Sequence, residues 1–171
     1  MVDNAEYKVV GKASGYELRV YPPTLLATVD GLDDGESFGI LFSYIAGDNQ
    51  SRMKIPMTAP VVSSERIEMT APVISGPRFF TFVMPKTYSI EALPIPKDSR
   101  VRIHIQPEKK FAVARFSGRT GRRLVEEESK ALMACTSRDG LKTRGPVFLM
   151  RYNSPFTPGF LRRNEVAIEV V

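Results

Sequence analysis

Alternation of apolar and polar side chains predicts strands along most of this chain. Residues 16–21 alternate strictly, and Pro22-Pro23 then force a turn, because proline fixes φ and lacks a backbone N–H. About 85 residues later another alternating run, 101–106, is again followed by a proline, Pro107. The predicted strands are 16–21, 25–29, 79–84, 101–106, 111–116, 148–152 and 165–171.

Two segments follow the helical period instead. The first is predicted to begin at Asp33 or Asp34, which can cap a helix, and to end near Ala46, before Gly47. Its apolar positions have the spacing i, i+3, i+4, i+7 and are Phe38, Leu41, Phe42 and Ile45. The second helix is predicted from about 121 to 137. Its apolar positions are Leu124, Val125, Ala131, Leu132 and Cys135.

The order strand-strand-helix-strand-strand therefore occurs twice. We expect an α+β fold in one domain, residues 1–171, with two pseudo-symmetric halves at about 16–85 and 100–171. The duplicated units would form a distorted antiparallel β-barrel, an open one, flanked on the outside by the two helices.

A five-residue sequence, Met-Thr-Ala-Pro-Val, occurs at 57–61 and again at 69–73. Proline suits edge strands and bulges rather than central strands. The repeat has two interpretations: a duplicated hairpin arm, or two methionines, Met57 and Met69, that flank a shared cleft.

Charge and composition narrow the choice of partners. The net charge of +5 comes with basic clusters at 109–110, 119–123 and 162–163, which suit anionic ligands. Aromatic side chains do not interleave with these clusters and tryptophan is absent, so nucleic acid is not expected. Cys135 is the single cysteine, which fits a reducing, cytoplasmic compartment. No apolar run predicts a signal peptide or a membrane span.

Side chains suited to catalysis are few. His104 is the only histidine, and the strand pattern places it on one face with Arg102 and Gln106, as a solvated position. No catalytic signature accompanies it. Whether the protein is an enzyme stays open, with binding favoured. Glycine inside a helix costs about 1 kcal/mol relative to alanine, so the small-residue edge of the first helix, with Gly35 and Gly39, is compatible with close approach of a flat ring or of packed backbone.

Several motifs together resemble the SOUL haem-binding protein family. They are residues 16–22 (Tyr-Glu-Leu-Arg-Val-Tyr-Pro), 41–45 with 47–49, 53–61, 115–118, 151–155 and 162–166 (Arg-Arg-Asn-Glu-Val). The resemblance covers about 16–170. It implies a duplicated α+β fold similar to ligand-binding domains of multidrug-responsive regulators, and binding of haem or a related tetrapyrrole. A groove that covers about 300 Å² of the ring, without a strong axial bond, gives about micromolar affinity or weaker, which suits a labile carrier or buffer.

The resemblance also implies a site between the first helix and the loop 156–163. Aromatic side chains would form a wall and a lid, basic side chains would meet the propionates, and Met57 would lie at the rim. These residues are Phe38, Gly39, Phe42, Lys54, Met57, Phe156, Phe160, Arg162 and Arg163. Alternatively, the aromatic stripe is core and the glycine-rich edge lines the groove.

One position departs from the family. Some members carry a histidine, considered as an iron ligand, where this chain has Val20. Iron ligation would then fall to Met57, Met69, a tyrosine, His104 or nothing. Two other functions stay open on the same fold: a protein-interaction module, and a general binder of small molecules, both without haem affinity.

Overall fold

The computed structural model of this 171-residue chain describes residues 4–50, 73–76, 79–153 and 156–171. The two helices are α1 (Asp34–Ile45) and α2 (Arg122–Arg138), and a short helical turn spans Gly159–Leu161. The strands are β1 (Lys8–Ala13), β2 (Tyr16–Tyr21), β3 (Thr24–Asp30), β4 (Asn49–Gln50), β5 (Val73–Gly76), β6 (Phe79–Val83), β7 (Ile95–Pro96), β8 (Arg102–Gln106), β9 (Lys109–Phe116), β10 (Thr143–Arg151) and β11 (Asn164–Val170).

Nine strands form one antiparallel sheet in the order β1-β2-β9-β11-β10-β5-β6-β3-β8, and β4 pairs with β7 separately. The predicted mixture of two helices with antiparallel strands is confirmed. Within the described ranges no pairing joins the edge strands β1 and β8. Over these ranges the large sheet is therefore open and does not close into a barrel.

Both helices cover the same face of the sheet. Leu41 and Tyr44 of α1 pack in one apolar cluster with strand residues such as Phe82, and Leu132 of α2 packs in another with Val166. The continuous register across β10, β5 and β6 puts the two clusters on one side. The opposite face carries a third cluster and no helix of the described residues.

The ends of α1 follow from its sequence. Asp33 caps the helix by accepting a hydrogen bond of 2.9 Å from the backbone N–H of Glu36, and Gly47, with φ of 121°, ends it. Both predicted helices are confirmed within one or two residues.

The predicted apolar stripe of α1 is only partly buried. Leu41 and Ile45 are buried, and Phe38 is half-buried against Phe80 and Phe82. Phe42, by contrast, is 49% exposed. The helix is rotated so that Tyr44, whose hydroxyl donates to the carbonyl of Pro94 at 2.8 Å, is buried instead.

Strand β2 differs from its prediction as a half-buried strand. Its polar face is buried too, with Arg19 and Tyr21 both inside. The reason is that β2 lies between β1 and β9, and a buried carboxylate meets Arg19. Among the described residues, no helix combines the length and the apolar character that a membrane crossing requires.

Candidate functional site

The concave face of the sheet, opposite the helices, encloses a cavity of about 290 Å³. We call it the concave cavity. Its walls come from β3, β6 and β8 on one side and from β9 and β10 on the other. The apolar lining includes Leu26, Ile74, Phe79, Val83, Phe111, Phe148 and Met150. Phe148 is the centre of this wall, since its ring lies 5.2 Å from that of Phe111 and 6.3 Å from that of Phe79.

A short chain of hydrogen bonds crosses the polar wall of the concave cavity. The hydroxyls of Thr28 and Thr81 are 2.8 Å apart, and the Thr28 hydroxyl is 3.0 Å from Nε2 of His104. Burial, followed by the nearby charge of Arg102, lowers the pKa of His104, so its imidazole is neutral near pH 7. The predicted face shared with Arg102 and Gln106 is confirmed, but His104 is half-buried in a cavity rather than a solvated surface residue.

Charged side chains stand at the rim of this cavity. Glu169 accepts from Lys109 at 3.3 Å and from Arg144 at 2.5 Å. Further along, Arg102 donates to Asp30 at 3.1 Å. The first group of three charges sums to one positive charge, and the second pair sums to zero.

A buried ionic network lies on the same face. Arg19 donates to both carboxylate oxygens of Glu165, at 2.9 and 3.0 Å, and Arg163 donates to Glu165 at 2.8 and 3.2 Å. The hydroxyl of Tyr152 donates to Glu165 at 2.7 Å. Each guanidinium also stacks on a tyrosine ring, Arg19 over Tyr7 and Arg163 over Tyr152. These cation–π contacts add to the attraction that holds the two charges in place.

The network fixes the protonation of its members. Burial on its own would raise the pKa of Glu165, but the hydrogen bonds from Arg19, Tyr152 and Arg163 outweigh it, and the pKa lies below the usual value. Burial raises the pKa of Tyr152, which stays protonated. Because Glu165 is ionised and already paired, it offers no free charge to a ligand.

Next to the segment that precedes α2, the loop that leads into β11 presents large apolar side chains to solvent. Phe156, Phe160 and Leu161 are 95%, 78% and 62% exposed. The backbone of this loop is nevertheless held, since the carbonyl of Gly159 accepts from the N–H of Gly118 at 2.9 Å. Arg162 adds a hydrogen bond of 2.7 Å from Nε to the carbonyl of Thr157.

Both elements of the predicted site are linked to the segment 118–120 that precedes α2. Arg151, at the end of β10, forms an ion pair of 3.2 Å with Asp34 in the first turn of α1. Its Nε also donates to the hydroxyl of Thr120, next to the start of α2, at 3.2 Å. Through Gly118, the 156–163 loop joins the same region.

The predicted site residues fall into four groups, the first of which is Phe156, Phe160 and Arg162 on the loop already described. Phe38 and Phe42 stack on each other at 5.8 Å, with Gly39 exposed beside them. Arg163 is drawn into the ionic network, where it also donates to Tyr7 at 3.1 Å. Lys54 and Met57 lie outside the described residues, as do both Met-Thr-Ala-Pro segments.

The concave cavity and the ionic network were not predicted from the sequence. Both lie on the face of the sheet opposite the helices, and in β2 and β8 that face carries the polar positions, which were expected to face solvent. The signal present in the sequence was the run of aromatic and threonine residues on that same alternate set: Thr28, Phe79, Thr81, Phe111 and Phe148.

Comparison with solved structures finds the same fold in distant proteins. A hydrolase from Listeria innocua is 12% identical, with a TM-score of 0.56, and the match covers 95% of this chain and 94% of that one. The C-terminal domain of EcmrR is 9% identical, with a TM-score of 0.57, and the match covers 96% and 98% of the two chains. Identities this low establish the fold alone.

Curated protein sequences contain no match to this chain. The family model described as SOUL heme-binding protein, however, matches residues 2–169, nearly the whole length. The residues of the ionic network lie within the motifs that first suggested the resemblance. Arg19 lies in 16–22, Tyr152 in 151–155, and Arg163 and Glu165 in 162–166. The chain belongs to the SOUL haem-binding protein family.

Proposed function

We propose that this protein binds haem or a related tetrapyrrole on the helix-covered side, between α1 and the 156–163 loop, as a labile carrier or buffer. One observation carries the proposal: a chain of this family exposes Phe156, Phe160 and Leu161 together on a loop whose backbone is hydrogen-bonded. Exposed apolar side chains grouped in this way are typical of binding surfaces.

The free energy gained by covering exposed apolar side chains supports a bound ligand at this surface. Covering a large apolar side chain is worth about 1.5–3 kcal/mol. A flat macrocycle could cover Phe160 and Leu161 without moving the loop, because Gly118 and Arg162 already hold its backbone. The stacked pair Phe38 and Phe42 offers a second aromatic surface on α1, where the exposed edge of Phe42 continues it.

Charge supports a ligand with carboxylates. Arg119 is exposed and packs beside Gly159, and Arg162 lies in the loop itself. Lys54 keeps its proposed role as a further partner of the propionates. Arg163 takes a smaller part than the sequence suggested, because Glu165 and Tyr7 accept three of its N–H groups.

Iron ligation on this side does not come from His104. That imidazole lines the concave cavity, on the opposite face of the sheet from α1. Val20 cannot ligate iron. The remaining candidates are Met57, Met69, a tyrosine or no protein ligand. Without an axial bond, about 300 Å² of covered ring at about 25 cal/mol/Å² gives roughly 7 kcal/mol. Association costs reduce this to micromolar affinity or weaker, as expected for a labile carrier.

We also propose that the domain is a duplicated unit of two halves. The strand order supports this, because β2-β9-β11-β10 is matched by β8-β3-β6-β5 read from the other end of the sheet. Each half would lend its first strand to the other, as β2 pairs with β9 and β8 with β3. This exchange would bind both halves into a single domain.

A hemin titration followed at the Soret band tests the proposed function. We expect a saturable one-to-one change in wild type and at least fivefold weaker binding in Phe160→Ser. The control is Val10→Ser, which removes another half-exposed apolar side chain, on edge strand β1. Broad, non-saturating absorbance changes, or equal affinities of the two variants, would contradict the proposal. Capture of a protein partner through Phe160 in that case would favour the interaction module.

A further inference from the structure

We propose that the concave cavity is a second binding site, for a small amphipathic carboxylate whose body is one or two aromatic rings. The site is separate from the surface proposed for haem and does not depend on it. The proposal stands on the size of the cavity, on its aromatic wall, on an unspent hydrogen-bond donor and on the charge at its rim.

The size of the cavity limits the ligand. An apolar cavity of about 150 Å³ holds one benzene molecule. The concave cavity has a volume of about 290 Å³ and is half open to solvent, so it holds about two fused rings inside, whereas the four pyrrole rings of haem would project out of it. The edge-to-face rings of Phe148 and Phe111, with an interplanar angle of 85°, provide faces and edges on which another ring can stack.

The polar wall carries one more hydrogen-bond donor than its own hydrogen bonds use. Thr28, Thr81 and neutral His104 carry three hydrogen atoms on their oxygen and nitrogen atoms, whereas the chain that they form uses two. Where Thr28 donates to one neighbour, the third hydrogen resides on Nδ1 of His104 or on the hydroxyl of Thr81, and where both neighbours donate to Thr28 it resides on the hydroxyl of Thr28. All three side chains line the concave cavity, so an acceptor group of a ligand bound there can take this hydrogen bond.

The net charge at the rim of the cavity determines which sign of ligand charge is favoured. Lys109 and Arg144 share the single carboxylate of Glu169, which leaves one positive charge over. Arg102 is balanced by Asp30. Glu165, buried on the same face, is paired with Arg19 and Arg163. A carboxylate is therefore favoured over an ammonium ion of the same size.

Three probes of equal shape test the proposal: naphthalenecarboxylate, its carboxamide and the naphthylmethylammonium ion. His104 is the only histidine, so its imidazole signals in the nuclear magnetic resonance spectrum report on this cavity alone. We expect saturable shifts of these signals, with the carboxylate binding at least fivefold more tightly than the amide and the ammonium ion binding weakest. Saturation by none of the probes, or tighter binding of the ammonium ion, would overturn it.

Two neighbouring lysines supply a matched pair of variants. Lys109→Gln removes the excess rim charge, whereas Lys110→Gln changes the next residue, which points to the other face of β9. We expect Lys109→Gln to weaken carboxylate binding about threefold or more and to leave amide binding unchanged. Equal effects of both substitutions would assign the preference to net charge and overturn a site at the rim. Hemin binding serves as a folding control, since it is measured at the other surface.

Discussion

Arg19 and Glu165 are joined by two hydrogen bonds of 2.9 and 3.0 Å although they are 146 residues apart and lie on strands separated by β9. Both side chains are buried, and the carboxylate is fully so. The pair therefore ties the beginning of the chain to its end inside the concave face, where each charge depends on the other for its solvation.

Replacing Glu165 tests this dependence. Glu165→Gln keeps the shape but removes the buried anion shared by Arg19 and Arg163, and of the two only Arg19 retains a carboxylate partner, Glu17 at 3.0 Å. We therefore expect the free energy of unfolding in urea to fall by about 3 kcal/mol. Glu127→Gln removes an exposed partner of Arg123 and should change it by about 0.5 kcal/mol or less. A loss at Glu165 no larger than that at Glu127 would mean that the buried network is not formed.

The pH dependence of stability should carry the signature of His104. Its pKa in the folded protein lies below the unfolded value of 6.5, so the unfolded chain binds the proton more readily. Stability attributable to this group is complete above pH 6.5 and is lost as the pH falls towards the folded pKa. Urea unfolding at several pH values should show this decline in wild type and not in His104→Gln. An identical decline in the variant would assign it to other groups.

Substitution of Gly39 should have opposite effects on the stability of the fold and on hemin affinity. A Cβ at this position meets nothing within 4 Å, so Gly39→Ala should raise the free energy of unfolding by about 0.5–1 kcal/mol through helix propensity. The same methyl group would lie on the exposed edge of α1 that the proposal assigns to haem. We expect hemin affinity to fall about threefold or more while thermal stability rises. A more stable variant with unchanged affinity would move the ligand away from this edge of α1.

Patterns that depend on local sequence were predicted well. The ends of α1 follow from Asp33 and Gly47, and the central strands follow from alternation, because caps and periodicity act over a few neighbouring residues. The edge strand β1 was not predicted, since its residues Lys8–Ala13 are mostly exposed and carry little alternation. The short pair of β4 and β7 depends on a contact between distant segments, which no local pattern indicates.

The site was predicted less completely, for a physical reason. Alternation identifies two faces of a strand but assumes that the polar face meets water. In β2 the polar face meets Glu165, which no local pattern around Arg19 reveals. Likewise, His104 is placed in a cavity by its distant partners Thr28 and Thr81. Family motifs carried information here that periodicity did not.

The most direct measurement is a proton–nitrogen correlation spectrum of the protein with ferric haem, whose unpaired electrons broaden the signals of nearby amides. The proposed site predicts loss of the signals of Gly39 and Gly159, at α1 and the loop, while Gly145, at the rim of the concave cavity, stays sharp. Loss of the Gly145 signal with Gly159 unchanged would contradict the account and place haem on the opposite face of the sheet.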